Sequence, residues 1–136
     1  MKGRAGITER LQANPAAGLN PSAVLMGIIV AFAASLIMAA ILALVLYFSS
    51  ISEGLVEMAT GFLGMFSIFL GAGYAARKAE TYGWVHGAVT GFLYVAICYV
   101  VGLFFAPDLL PGSELFFKMV IGVLVGVLGG IVGINL

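Results

Sequence analysis

GAGYAARKAETYGWVHGAVTG, residues 71–91, is a short polar break between two long apolar runs, and its reading decides the fold. It gathers Arg77, Lys78 and Glu80 with the only tryptophan, Trp84, and the only histidine, His86. Upstream, Met58–Ala76 carries no charged side chain, and downstream Trp84–Ala106 carries none either. Hydrocarbon accepts uninterrupted apolar helix and rejects ionised groups, so charge confined between two such runs is the pattern of a loop joining two membrane spans.

The whole chain obeys the same rule. Of 136 residues, 62% are hydrophobic and 9% charged, against about 25% charged in soluble domains. The mean hydropathy of +1.17 agrees. The formal net charge is zero and no basic run is long, which argues against nucleic acid as a partner. One cysteine, Cys98, lies in an apolar run and allows neither an intrachain disulfide nor a multi-cysteine metal site.

Outward from the break, four spans are expected at about residues 22–49, 58–76, 84–106 and 115–135, forming a transmembrane domain over 22–136 behind an N-terminal arm at 1–21. Asn14-Pro15 and Asn20-Pro21 favour turns in that arm, and Pro21 suits an early helical position. The apolar run Ala23–Phe48 is about 39 Å long as a helix, enough to cross about 30 Å of hydrocarbon with tilt. It exceeds the core of a cleaved signal peptide, so an uncleaved first span is expected. Ser49, Ser50, Ser52 and Gly54 join it to the second span, with Glu53 and Glu57 bracketing the connector. Pro107, Asp108, Pro111 and Gly112 mark a turn before the last span.

Each span carries a face of small residues. Ala23, Gly27, Ala31, Ser35, Ala39 and Ala43 recur every four residues along the full first span. Gly64, Ser67 and Gly71 share a face of the second; Gly83, Gly87 and Gly91 open the third; Gly122, Gly126 and Gly130 form a row in the fourth, beside a second row of Gly129 and Gly133. Hydrophobic drive between helices is weak in lipid, so close backbone approach along such faces is what supplies packing energy. The expected fold is all-α, a bundle of four antiparallel transmembrane helices.

Basic residues set its orientation. Lys2, Arg4 and Arg10 lie in the arm and Arg77 and Lys78 in the second loop, whereas Glu53, Glu57, Asp108 and Glu114 mark the other side. The positive-inside rule then puts both termini and the 77–80 loop in the cytoplasm. Lys118, one turn into the fourth span, is four residues from Glu114 and suits a surface ion pair.

No charged residue falls near the middle of a span, where it would mark a proton relay or an ion path. His86 lacks a second histidine or cysteine for metal binding and reads as an interfacial side chain beside the aromatic anchor Trp84. Gly71-x-Gly73 lacks the spacing of a phosphate loop. Ser35, Thr60, Ser67, Thr90, Tyr94 and Tyr99 are polar groups of the kind that bond within or between helices. No nucleophile, base and orienting group assemble, so neither an enzyme nor a cofactor is expected. Any functional face falls on Tyr74, Arg77, Lys78, Glu80, Tyr82, Trp84 and His86, a polar segment held between rigid elements. Topology and headgroup anchoring alone would place the same residue types there.

ALVLYFSSISE (43–53), FLGAGYAARKAETYGWVHGAVTGFLY (69–94) and GVLGGIVGINL (126–136) together resemble an uncharacterised family of small four-span membrane proteins of Gram-positive, largely spore-forming bacteria. The resemblance covers nearly all of the chain after residue 20 and implies a multi-pass protein of the bacterial cytoplasmic membrane, with no activity attached. Two functions are open to such a chain. One is a non-enzymatic subunit or scaffold packing against other membrane helices or copies of itself; the other is a small-solute channel or transporter built by oligomerisation. The lack of mid-span charge favours the first.

Overall fold

A computed structural model describes residues 18–109 and 112–136. The expectations for Lys2, Arg4, Arg10, Asn14-Pro15 and Pro111 lie outside the described residues. Four helices follow in order: α1 Pro21–Phe48, α2 Glu53–Ala79, α3 Gly83–Phe105 and α4 Gly112–Asn135, with one turn of 3-10 helix at Pro107–Leu109. All four are long and apolar enough to cross a membrane.

The helices outrun the apolar segments that announce them. Residues 53–57 form the first turns of α2, and Arg77 and Lys78 belong to its last turn rather than to a loop. Hydropathy marks only the part of a helix that sits in hydrocarbon, whereas the backbone ladder continues wherever side chains favour it. Glu53 lies at the positive end of the α2 dipole and Arg77 and Lys78 at the negative end, each with the sign that stabilises it. Gly112, Ser113 and Glu114 likewise form the first turn of α4, where Glu114 approaches Lys118 at 3.5 Å on an exposed face.

Local chemistry sets the remaining ends. The Asn20 side chain caps α1 by accepting from the Ser22 N–H at 3.2 Å, and Pro21 costs no hydrogen bond there. Between α2 and α3 the loop is only residues 80–82. Glu80 and Tyr82 both adopt the left-handed conformation, at φ of 61° and 48°. Neither is glycine, so the tight turn carries backbone strain that the packed helices below it must hold.

Glycine rows dictate the packing. A methyl group placed at Gly83 would meet the Gly130 carbonyl oxygen at 2.7 Å; at Gly87 it would fall on that of Gly126, and at Gly91 on that of Gly122. Residue numbers thus fall on α4 as they rise on α3. Similarly, Gly27 of α1 faces Ala75 and Gly71 of α2, and Ala31 faces Gly71. Between α2 and α4 the register rises together, with Phe69 against Gly129 and Gly73 against Gly133. The two adjacent rows of α4 are therefore assigned: Gly122, Gly126 and Gly130 meet α3, while Gly129 and Gly133 meet α2. Helices α2 and α3 form the centre, and α1 and α4 do not touch each other.

The core occupies one end of the bundle. Buried positions span residues 23–31 of α1, 67–76 of α2, 83–94 of α3 and 122–133 of α4. Ala31, Ile68 and Tyr94 form its centre with Phe32, whose ring lies 4.9 Å from that of Tyr94. Toward the other end the helices leave Tyr47, Phe48, Phe62, Phe104 and Phe117 exposed.

This corrects two packing expectations. The small-residue stripe of α1 packs only through Ala23, Gly27 and Ala31; Ser35 is half-buried, and Ala39 and Ala43 are exposed. Gly64, expected in a tight helix contact, would meet no atom within 4 Å if given a methyl group. Both departures have one cause. Helices α1 and α2 approach at Gly27 and Gly71 and part beyond that crossing, so the same residue types have no partner farther along.

Candidate functional site

The polar segment 74–86 divides in the fold. Tyr74, Arg77, Lys78, Glu80, Tyr82 and Trp84 are exposed, whereas His86 is fully buried. The expectation of an interfacial histidine is thus corrected, and the reason is a bond to a distant part of the chain. His86 Nε2 accepts the backbone N–H of Asn20 at 2.9 Å, and Nδ1 lies 3.0 Å from the Tyr82 carbonyl oxygen. A backbone N–H can only donate, so Nε2 bears the lone pair and Nδ1 the proton. The neutral imidazole therefore ties the residue that caps α1 to the residue that precedes α3.

The Tyr82 carbonyl is the hub of this corner. Besides Nδ1–H it accepts the N–H groups of Val85 at 3.0 Å and His86 at 3.2 Å. Thr90, also buried, donates its hydroxyl to the His86 carbonyl at 2.7 Å, one turn along α3. Its methyl group faces Gly27, so the same side chain seats α1 against α3. Gly18 rests against the Tyr82 ring, where a methyl group would lie at 3.6 Å. Sequence reading missed Asn20 as a partner of His86. The Asn-Pro pair signals a helix start, but nothing local signals what the amide before it will meet.

Every buried side-chain polar atom among the described residues has a hydrogen-bond partner. Ser67 donates to the Leu63 carbonyl at 2.8 Å, Thr60 to those of Val56 and Glu57, and Ser35 to that of Phe32. These hydroxyls turn back onto their own helices.

Among the grooves left where the helices diverge, two hold polar side chains. Because α1 and α4 stay apart, one face of α2 is uncovered between them, forming a groove of about 340 Å³ that runs from Phe69 to Arg77. Its walls are apolar except at the end that holds Tyr74 and Arg77. The second, of similar volume, opens where α1 and α2 part; Ala39, Ala43, Thr60 and Gly64 line it, with Tyr94 and Ser35 at its inner end.

Four apolar spans, a backbone-satisfied core and lateral grooves open toward the surrounding phase define a small multi-pass membrane protein. A family model described as "Protein of unknown function (DUF3792)" matches residues 20–133, and the chain belongs to that family. No curated protein and no solved structure matches the chain.

Proposed function

We propose that the protein is a non-enzymatic subunit or scaffold of the bacterial cytoplasmic membrane that receives a partner helix in the groove between the outer halves of α1 and α2. The observation that carries this reading is the unfinished small-residue stripe. Gly27 and Ala31 have met their partner on α2, and Ala23 is buried; Ala39 and Ala43 continue the same spacing into an open groove opposite Gly64. Small residues at helical spacing let a backbone come close, the main source of helix affinity in lipid. The bundle also buries little of itself, between 11% and 22% of the most apolar stretch of each span, so most span surface is free to meet lipid or another protein. Against a solute path stands the inward bonding of Ser67, Thr60 and Thr90 to their own helices.

Gly64→Leu projects into the groove, away from the packed end, since a methyl group there would have no atom within 4 Å. The variant is expected to fold with normal yield and to lose co-purifying membrane partners, or self-association, when extracted from native membranes. A folded Gly64→Leu protein that keeps every partner overturns the reading. Solute flux through liposomes holding only the purified protein would instead support an oligomeric channel.

On this reading consecutive helices are antiparallel, and both termini and the 80–82 loop face the cytoplasm. The falling registers of α1 with α2 and of α3 with α4 support the first point. The Asn20–His86 bond supports the second, since it holds the start of α1 beside the 80–82 loop, and Arg77 and Lys78 mark that end as the positive one. With Cys98 replaced, a cysteine at Glu80 should resist a membrane-impermeant thiol reagent in intact cells, and one at Ser113 should react. The reverse labelling would overturn the orientation.

A further inference from the structure

We propose that the groove over α2, between α1 and α4, is a binding site for one anionic phospholipid, with an acyl chain along its apolar floor and the phosphate at Arg77. This goes beyond the scaffold reading and uses a different face of α2.

Leu70, Tyr74 and Arg77 project from α2 at helical spacing, and Gly73, Gly129 and Gly133 hold α2 and α4 so close that their backbones form one wall. Val30 of α1 faces them and Val132 completes the apolar surface. From Phe69 to Arg77 the groove follows about 12 Å of helix axis, most of one leaflet of a hydrocarbon core about 30 Å thick. An acyl chain lying in it would end where the polar atoms begin.

That end carries matched chemistry. Tyr74 and Arg77 are three residues apart on one face of α2, so a phenol O–H and a guanidinium stand together at the mouth. Arg77 makes no ion pair among the described residues, whose only such pair is Glu114 with Lys118. A guanidinium binds phosphate through paired N–H donors, which an amine cannot copy. Lys78 adjoins Arg77 in sequence but does not line the groove. The occupant is thus distinguished by charge and by shape: a lipid with one apolar tail in the groove and its anionic phosphate at the mouth.

The test is native mass spectrometry of the full-length protein released from mixed micelles containing equal amounts of dioleoyl phosphatidylglycerol and dioleoyl phosphatidylcholine. The wild type is expected to retain the anionic lipid over the zwitterionic one by about fivefold, the size expected of one basic side chain near a charged headgroup. Arg77→Gln should bring the ratio to about one, Arg77→Lys should keep part of it, and Lys78→Gln should leave it unchanged. Val132→Trp, which fills the groove and leaves Arg77 in place, should remove both lipids. Gel filtration of each variant confirms that the bundle is folded. Equal losses from Arg77→Gln and Lys78→Gln would mean diffuse attraction and overturn the site. Displacement of the lipid by millimolar inorganic phosphate would overturn a lipid in favour of the free anion. Dimers that disappear with Val132→Trp, without any lipid preference, would overturn it in favour of a second copy.

Discussion

Gly126→Leu and Gly87→Leu are each expected to lower recovery of the folded protein in mild detergent sharply. A methyl group alone at Gly87 would fall on the Gly126 carbonyl oxygen and lie 2.9 Å from the Gly130 Cα; at Gly126 it would fall on the Gly87 carbonyl oxygen and lie 3.0 Å from that carbonyl carbon. The obstacles are backbone atoms of a rigid helix, so no side chain can turn aside to make room. Extra methylenes in a packed core cost about 1–3 kcal/mol even where repacking is possible, and here it is not. The loss should therefore lie at the top of that range or above it, and thermal unfolding followed by circular dichroism would measure it. Gly64→Ala and Gly61→Ala supply the contrast, because neither position has an atom within 4 Å of the new methyl group. They should retain or raise stability, by up to about 1 kcal/mol from helix propensity alone. A Gly126→Leu protein as stable as the wild type would overturn the α3–α4 register.

The difference between these two sets of glycines shows where sequence stops being informative. Four spans follow from hydropathy because hydrocarbon imposes one simple condition on every residue within it. The pairing of Gly83, Gly87 and Gly91 with the Gly122–Gly130 row was also within reach, since two faces of identical spacing fit each other. Gly64 sits in the same kind of pattern and faces open space, because close approach is a property of two helices and their crossing point, not of one helix face. The stripe of α1 makes the same point: Ala31 is buried and Ala39 is exposed, though both belong to one four-residue repeat. Helix ends were displaced for another reason. Glu53 and Arg77 are excluded from hydrocarbon but favoured by the α2 dipole, so the helix continues where the apolar signal ends. Of the segment 74–86, the exposure of Tyr74, Arg77, Lys78, Glu80, Tyr82 and Trp84 was legible and the burial of His86 was not. His86 and Asn20 are 66 positions apart, and only the tertiary fold makes them neighbours.

His86→Leu is expected to destabilise the bundle by about 1 kcal/mol, the net worth of a typical hydrogen bond, because the Asn20 N–H that it frees is only part-buried. The leucine would fill much of the vacated space, so the loss reports chiefly on the hydrogen bonds and not on a cavity. Of the two bonds removed, the one to Asn20 matters more. The Tyr82 carbonyl keeps the N–H groups of Val85 and His86, which are backbone donors and survive the substitution. The Asn20 N–H has no such reserve, since its acceptor is the imidazole. His86→Ala should cost more, because it adds a cavity between α1 and α3 to the lost bonds. His86→Gln, with a carbonyl oxygen to accept and an amide to donate, should recover part of the stability. Amide hydrogen exchange separates this account from a general loss of packing: protection at Asn20 should fall in His86→Leu by far more than at Gly87 or Gly91, which stay locked against α4. If Asn20 keeps its protection in His86→Leu, the imidazole is only a filler of space, and the start of α1 is held against α3 by Thr90 and Gly27 instead.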